Sequence, residues 1–416
     1  MSDESGLPVL ALNAGSSSLK FGLYLVGPGM RRMLVSGMAE TTGEGHGALS
    51  ARDADGNAVA CDAQPLGAPS VAIARIAELL VARGFPAPLA VGHRIVHGGA
   101  SCRRHALIDA TVIQQLEAAK VFAPLHVPPA LSLIRFAQER FPGIPQAACL
   151  DTAFHAGLPP VARTLPIPRD LRARGIERYG FHGLSCESIV RQLGEDVPRR
   201  LVIAHLGNGA SVTAVASGRS IDTSMGLTPS GGVIMSARCG DIDPGVLAYV
   251  VRELGYDAAQ LEALIDQRSG LRGISGVSGD MRELRAVAAS NADARLAIDM
   301  FCYSVRKQIA AMGAALGGVD LLVFTGGIGE NDAATRTRIC EGLDGLGIGS
   351  ERASVDLKVD LRNTARGARR LGENRSGTRA MSSQEDEQIA WHTWHLATRQ
   401  VRAQATRAVA ADKRSA

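Results

Sequence analysis

One local pattern occurs twice in this chain of 416 residues and limits its fold more than any other feature. Residues 10–25, LALNAGSSSLKFGLYL, are two apolar runs hinged on a knot of asparagine, glycine and serine. Residues 200–218, RLVIAHLGNGASVTAVASG, repeat that layout, and setting Gly15 against Gly209 brings Ser17 against Ser211. Short β-rich apolar runs read as strands, and glycine with asparagine at the hinge admits the tight turn between them. The identity between the two segments is low, so the layout is what they share. The expectation is two domains built on one plan, which also suits a length too great for a single core.

The rest of the chain alternates strand and helix signals. DADGN (53–57) reads as a hairpin turn, and VAIARIAELLVARG (71–84) has helical periodicity closed by Gly84. Helical patterns follow in ATVIQQLEAAK and PALSLIRFAQERFPG, and the strand-like IPQAACLDTAFH closes a first half near residue 150. Helices dominate 244–316, before a strand and loop in VDLLVFTGGIGEN (319–331). This alternation predicts an α/β class. The expected division is 1–150, then 151–386, with a helix over 387–400 returning to the first domain. No strands are placed in the polar, arginine-rich stretch 351–384.

Composition narrows the function classes. The chain is 46% hydrophobic and 21% charged, as for an ordinary globular protein. Residues 391–416 hold four arginines and a lysine against one aspartate, which equals the whole formal excess of +4. The remainder is balanced, so no nucleic-acid partner is indicated. Trp391 and Trp394 sit in the same segment, which reads as a helix that packs through its first turns and frays into a basic, disordered tail over 401–416. MSDESGLP has no apolar run of a secretory leader, and the most apolar stretch, 313–329, carries Asp320 and several glycines, so no membrane span is expected. Seven scattered cysteines without C-x-x-C spacing predict a reducing cytoplasm rather than disulfides or zinc.

Three Gly-rich stretches follow apolar runs: NAGSSS (13–18), HLGNGAS (205–211) and TGGIGEN (325–331). Missing Cβ atoms let backbone N–H groups crowd an anion, and serine adds hydroxyl donors. Taken singly, such a stretch is more often a plain tight turn. No Walker A sequence, complete G-x-G-x-x-G or protein-kinase signature is present.

Together with GHRIVHGG (92–99), DTAFH (151–155), RYGFHGLS (178–185), DTSMGLTPSGG (222–232), RCGDIDPG (238–245) and SGLRGISGVSGDMR (269–282), these stretches resemble the acetate kinase family, colinearly over about 8–350. That family is part of the acetate and sugar kinase/heat-shock 70/actin superfamily. The resemblance implies two duplicated actin-like, ribonuclease H-like domains, a cleft between them that closes on substrate, and a homodimer. It implies an ATP-dependent phosphotransferase that makes acetyl phosphate from acetate with Mg2+, or with Mn2+. Asp151, His182, Arg94 and Arg238 resemble the catalytic set, and Arg94 joins Val96, Leu125, His126, Phe181 and Pro229 around the acyl group. Lys20, Ser16, Ser18, His205, Leu206, Gly207, Asn208, Gly209, Asp280, Met281, Arg282, Gly327, Ile328, Gly329, Glu330 and Asn331 match ATP-binding positions. Asn13 and Glu385 match metal-associated positions, Glu385 through SQED in place of a more usual T-N-E-E, where a shift of one or two residues would select Asp386 or Glu387 instead, with GENRSGTRAMS replacing the strand before it.

The chemistry needs such groups. Acetate and a γ-phosphoryl group are both anions, and each pair of unit charges at about 4 Å repels by roughly 4 kcal/mol at an effective dielectric near 20. Two arginines with a divalent cation offset that, and the guanidinium fork suits carboxylate and phosphoryl oxygens. Acetate is already ionised at neutral pH, so Asp151 is expected to orient Arg94 or the metal rather than to remove a proton. The alternatives are a propionate or other short-chain acyl kinase, a non-catalytic ATP-binding module, and an acyl-phosphate or polyphosphate hydrolase. Leu184, Cys186, Val127, Ser236 and Ala237 depart from the family's usual residues.

Overall fold

The computed structural model describes residues 6–15, 18–40, 49–62, 69–346, 348 and 377–415. The chain divides into two compact units, Met1–Ala153 with Gln384–Ala416, and Phe154–Ser383.

The first unit is built on strands β1 (Leu7–Ala14), β2 (Ser18–Gly27), β3 (Met30–Glu40), β4 (Leu49–Asp53), β5 (Ala58–Asp62), β6 (Ala90–Ile95), β7 (Ala106–Leu107) and β8 (Gln146–Leu150). They form one sheet in the order β5-β4-β3-β2-β1-β6-β8-β7. β1 and β2 pair antiparallel with Asn13 opposite Lys20, whereas β6 runs parallel to β1 and β8 parallel to β6. The helices Pro69–Ala82 and Val127–Arg140 cover one face, where Ile73, Ile76, Leu80 and Leu133 pack with Leu10, Leu12 and Phe21. The helix Glu385–Ser415 covers the other face. A Cβ on Gly92 would stand 2.6 Å from Ile389 Cγ2, so that helix rests directly on bare strand backbone.

The second unit carries β9 (Arg200–Leu206), β10 (Ala210–Ala216), β11 (Arg219–Thr223), β12 (Leu321–Thr325) and β13 (Gly377–Ala380), in the order β11-β10-β9-β12-β13. β9 to β11 form an antiparallel meander, and β12 and β13 extend it in parallel. The order β3-β2-β1-β6-β8 in the first unit has the same pattern of pairing. One plan is therefore used twice, as the paired Gly/Ser hairpins predict.

Three local expectations are corrected. The chain before Glu385 keeps a strand: β13 pairs with β12 from Leu321↔Gly377 to Phe324↔Ala380. As an edge strand it needs a backbone partner on one side only, and a polar sequence with Thr378 buried satisfies it. TGGIGEN is not an open loop, since Gly326–Asn331 is helical and Gly326, at φ 78°, turns the chain from β12 into it. The final helix runs unbroken to Ser415 rather than fraying after residue 400, because 401–415 lacks glycine and proline and is rich in alanine and arginine. Ser16, Ser17 and most of the polar 351–384 stretch lie outside the described residues.

Candidate active site

The first unit gathers its polar side chains at one end of its sheet. Asn13 lies near the end of β1, Arg94 near the end of β6, and Asp151 follows β8, so three adjacent parallel strands deliver them at their carboxyl ends. Ligands of open α/β sheets bind there, where the strand ends leave backbone and side chains unpaired. Glu385 and Asp386 open the returning helix at the same place.

Arg94 donates from Nε and Nη2 to Asp151 Oδ2 at 2.9 and 2.6 Å, and from Nη1 to Asn13 Oδ1 at 3.2 Å. Asn13 Nδ2 in turn donates to Glu385 Oε2 at 3.2 Å and Asp386 Oδ1 at 2.9 Å. Burial of Arg94 works against its charge, but Asp151, Glu385 and Asp386 outweigh it and raise its pKa. Burial raises the Asp386 carboxyl, and repulsion from Glu385 adds to this against the Asn13 bond. Three carboxylates thus share one guanidinium. This all-oxygen, net-negative donor set fits a hard divalent cation. Asp386, the alternative to Glu385 in SQED, joins it at Asn13 rather than replacing it.

Lys20 lies on β2 opposite Asn13, and its charge partly opposes the rise that burial imposes on the Asp386 carboxyl. The Ser18 carbonyl accepts from Gly15 N–H at 2.7 Å and closes the hairpin. Val96 and His126 are half-buried, and Leu125 is exposed.

The second unit holds the other set. His182 is a buried non-glycine residue at φ 58°, just before the helix Gly183–Leu193. Such backbone strain persists only where surroundings enforce it. His155 supplies part of that support: its Nε2 donates to the Phe181 carbonyl at 2.9 Å while Nδ1 meets Ser220 Oγ at 2.8 Å. Burial pushes the His155 pKa down to about 4, so the ring is neutral. Nothing in DTAFH by itself marks His155 for this task. Gly180 is required beside it, because at φ 72° a Cβ would also stand 2.6 Å from Thr223 Cγ2.

His182 Nδ1 meets Ser211 Oγ at 2.9 Å, and its ring stacks on His205 with centroids 4.1 Å apart. A Cβ on Gly209 would lie 3.1 Å from His182 Nε2 and 3.4 Å from Arg238 Nη1, so both groups converge over the bare backbone of the HLGNG turn. Arg238 Nη1 also donates to the Pro229 carbonyl at 3.2 Å. Its loop is tied to that turn by Ser236 N–H on Asn208 O at 3.2 Å. The departure at Ser236 therefore lies in the linkage between two site segments. Val127, Leu184 and Cys186 are core residues.

HLGNG leaves β9 and GGIGEN leaves β12, with His205 opposite Thr325 in the parallel ladder. A Cβ on Gly326 would stand 2.8 Å from Leu206 O, and one on Gly207 would be 3.9 Å from Gly327 N, so the two segments abut backbone to backbone. Gly327 is exposed with nothing within 4 Å of a Cβ. Asn331 Nδ2 donates to Gly327 O at 2.9 Å. Asp280 and Arg282 pair with each other at 2.6 Å, Met281 is buried, and Arg285 on the same helix bonds Asp332 at 2.8 Å, just after GGIGEN. Phe181 and Pro229 are buried. Glu330 is the surprise, because the described partners of its carboxylate are Gly326 N–H, Ser383 N–H and the Ser382 hydroxyl.

A meander-plus-parallel sheet used twice, with glycine turns at strand ends, defines the actin-like superfamily that contains kinases of small molecules. Within that class the comparisons are specific. A family model described as the Acetokinase family matches residues 8–379, and the chain belongs to that family. It is 42% identical over 363 residues to acetate kinase 2 of Neisseria meningitidis serogroup B, covering 85% of this chain and 88% of that protein. It is 40% identical over 406 residues to an acetate kinase of Rhodopseudomonas palustris, covering 94% and 98%. Among solved structures, a propionate kinase from Francisella tularensis superposes with a TM-score of 0.81 at 35% identity over 94% of this chain and all of that one. The Porphyromonas gingivalis acetate kinase gives 0.77 at 34% identity, over 94% and 99%.

Proposed function

We propose that the chain transfers the γ-phosphoryl group of ATP reversibly to acetate, giving acetyl phosphate and ADP. The observation that carries this reading is Arg94, a buried guanidinium locked side-on by Asp151 at the strand ends of the first unit. A nucleotide clamp alone has no need of it. An acetate oxygen attacks the γ-phosphorus in line, the bond to the β–γ bridging oxygen breaks, and ADP keeps that electron pair. Arg94 holds the acetate carboxylate, Asp151 holds Arg94, and Arg238 with His182 takes up charge on the transferring group. Asn13, Glu385 and Asp386 would hold Mg2+, which when bound neutralises phosphate charge.

This reading assigns the apolar contacts of a short acyl chain to Val96, Leu125, Phe181 and Pro229. Propionate is the second reading, favoured by the likeness to the Francisella enzyme. One methylene changes binding by only about 1–3 kcal/mol, so the two substrates overlap. The test is hydroxylamine trapping of acyl phosphate with ATP, Mg2+ and acetate, propionate or butyrate in parallel. Strongest trapping with acetate, lost in Arg238→Ala, is the expected result. ATP binding without trapping from any acid would leave a nucleotide-binding relative instead, and phosphate release without an acid would indicate a hydrolase.

We also read the chain as a cytoplasmic homodimer. Leu296, Met300 and Tyr303 are exposed at helical spacing along Ala292–Leu316, an apolar stripe that a second copy would cover. Sedimentation velocity is expected to give a dimer that Met300→Glu dissociates; a wild-type monomer would sink this reading. The free cysteines among the described residues suit a reducing compartment, and no helix among them is long and apolar enough to cross a membrane.

A further inference from the structure

We propose that Glu330 is a positioning residue rather than a nucleotide ligand, acting through Ser383 and Ser185 to hold His205 as its Nε2–H tautomer. The proposal rests on the kinase reading for its purpose, but not for its geometry. Glu330 Oε1 accepts from Gly326 N–H at 3.0 Å and from Ser383 N–H at 2.9 Å, and Oε2 accepts from Ser382 Oγ at 2.9 Å. One carboxylate thereby ties the turn after β12 to the last two residues of the second unit. Ser383 Oγ donates to Ser185 Oγ at 3.0 Å, and Ser185 Oγ lies 2.8 Å from His205 Nδ1.

Proton placement completes the proposal. A serine hydroxyl has a single proton and two acceptor lone pairs; in the proposed relay Ser185 accepts from Ser383 and gives its own proton to His205 Nδ1. A neutral imidazole that accepts at Nδ1 carries its proton at Nε2. His205 Nε2 is the ring atom 3.9 Å from where a Gly207 Cβ would stand, so the donor faces the HLGNG turn. The ring is also the one stacked against His182. The relay therefore presents an N–H donor to the turn that the kinase reading assigns to phosphate, and it keeps that donor in a fixed orientation beside His182.

The test is 15N–1H correlation of histidine ring nitrogens in the full-length protein without nucleotide, with His205 assigned by loss of its signals in His205→Gln. The wild type is expected to show the Nε2–H tautomer. Ser185→Ala and Ser383→Ala are expected to convert it to a mixture, and Glu330→Gln to do so in part. In trapping assays kcat is expected to fall about tenfold in Ser383→Ala, with the KM for ATP moving less than twofold. Ser383→Ala keeps the peptide N–H on Glu330 and removes only the hydroxyl, so it decides the matter even where Glu330→Gln does not fold. An Nδ1–H tautomer in the wild type would overturn the proposal. So would an unchanged tautomer in Ser383→Ala, or a raised KM for ATP as the sole effect of Glu330→Gln. A relay that behaves as expected in a protein that traps no acyl phosphate would count against the kinase reading alone.

Discussion

Arg94→Ala is expected to lower kcat by about 10²–10³-fold, the usual cost of removing one fixed donor at a developing anion. Its effect on stability should be as plain. Arg94 is the guanidinium among Asp151, Glu385 and Asp386, and Asp151 is only 1% exposed. Breaking a buried pair by deleting one partner leaves the other charge uncompensated, at about 3–5 kcal/mol. The variant should therefore unfold at markedly lower denaturant, and Mg2+ should restore more stability to it than to the wild type, because three carboxylates then lack their cation. Arg94→Lys separates the two roles. It restores charge, and hence most of the stability, but one ammonium cannot reproduce the fork that meets Asp151 through two nitrogens and Asn13 through the third. Its kcat should stay at least tenfold down. An Arg94→Ala protein that keeps kcat within threefold of the wild type would remove Arg94 from the site, and with it the observation on which the function rests.

Much of this arrangement was legible in the sequence, for reasons that differ by residue. The hairpins were readable because strand formation leaves a local signature, two apolar runs on a Gly/Asn/Ser knot, and the doubled sheet order follows from their recurrence. SQED offered Glu385 with Asp386 as its alternative, but not the participation of both. Consecutive residues in a helix point about 100° apart, so no local pattern says that both face one asparagine. The Asn13 amide carries two N–H donors and serves both carboxylates, a fact visible only with strand and helix in place. His155 was left without a role, and Glu330 was assigned to ATP, for the same reason. Each lay inside a quoted motif, and each acts on residues distant in sequence, Phe181 and Ser220 for one, Ser382 and Ser383 for the other. β13 escaped because an edge strand can be polar on its open side, so hydrophobic period carries little information there. The last helix was expected only to residue 400, and its continuation escaped for the opposite reason: the charges beyond that point read as a solvated tail, while their helix propensity went uncounted.

Asp151→Asn carries the second large effect and bears on mechanism. If Asp151 fixes Arg94, the substitution keeps shape but takes away the anion that binds two of its nitrogens, and a displaced guanidinium costs about 10²-fold in kcat. If Asp151 were a general base, the loss would come from proton transfer instead. The two readings differ in how the remaining activity depends on pH. Acetate, with a carboxyl pKa near 4–5, has no proton to give at neutral pH, and Asp151 Oδ2 is already taken up by Arg94 at 2.6 and 2.9 Å. The acid limb of kcat/KM then belongs to the substrate carboxyl and to Asp386, so it should persist in Asp151→Asn. Acid weakens that set from a raised starting point: the Asp386 carboxyl is pushed above its ordinary value by burial, so it protonates earlier than a solvated aspartate as pH falls. Asp386→Asn should accordingly shift the limb that Asp151→Asn leaves in place. Residual activity in Asp151→Asn with no acid limb would return the general-base role to Asp151, and would make its two bonds to Arg94 the means of setting its basicity rather than the reason for its presence.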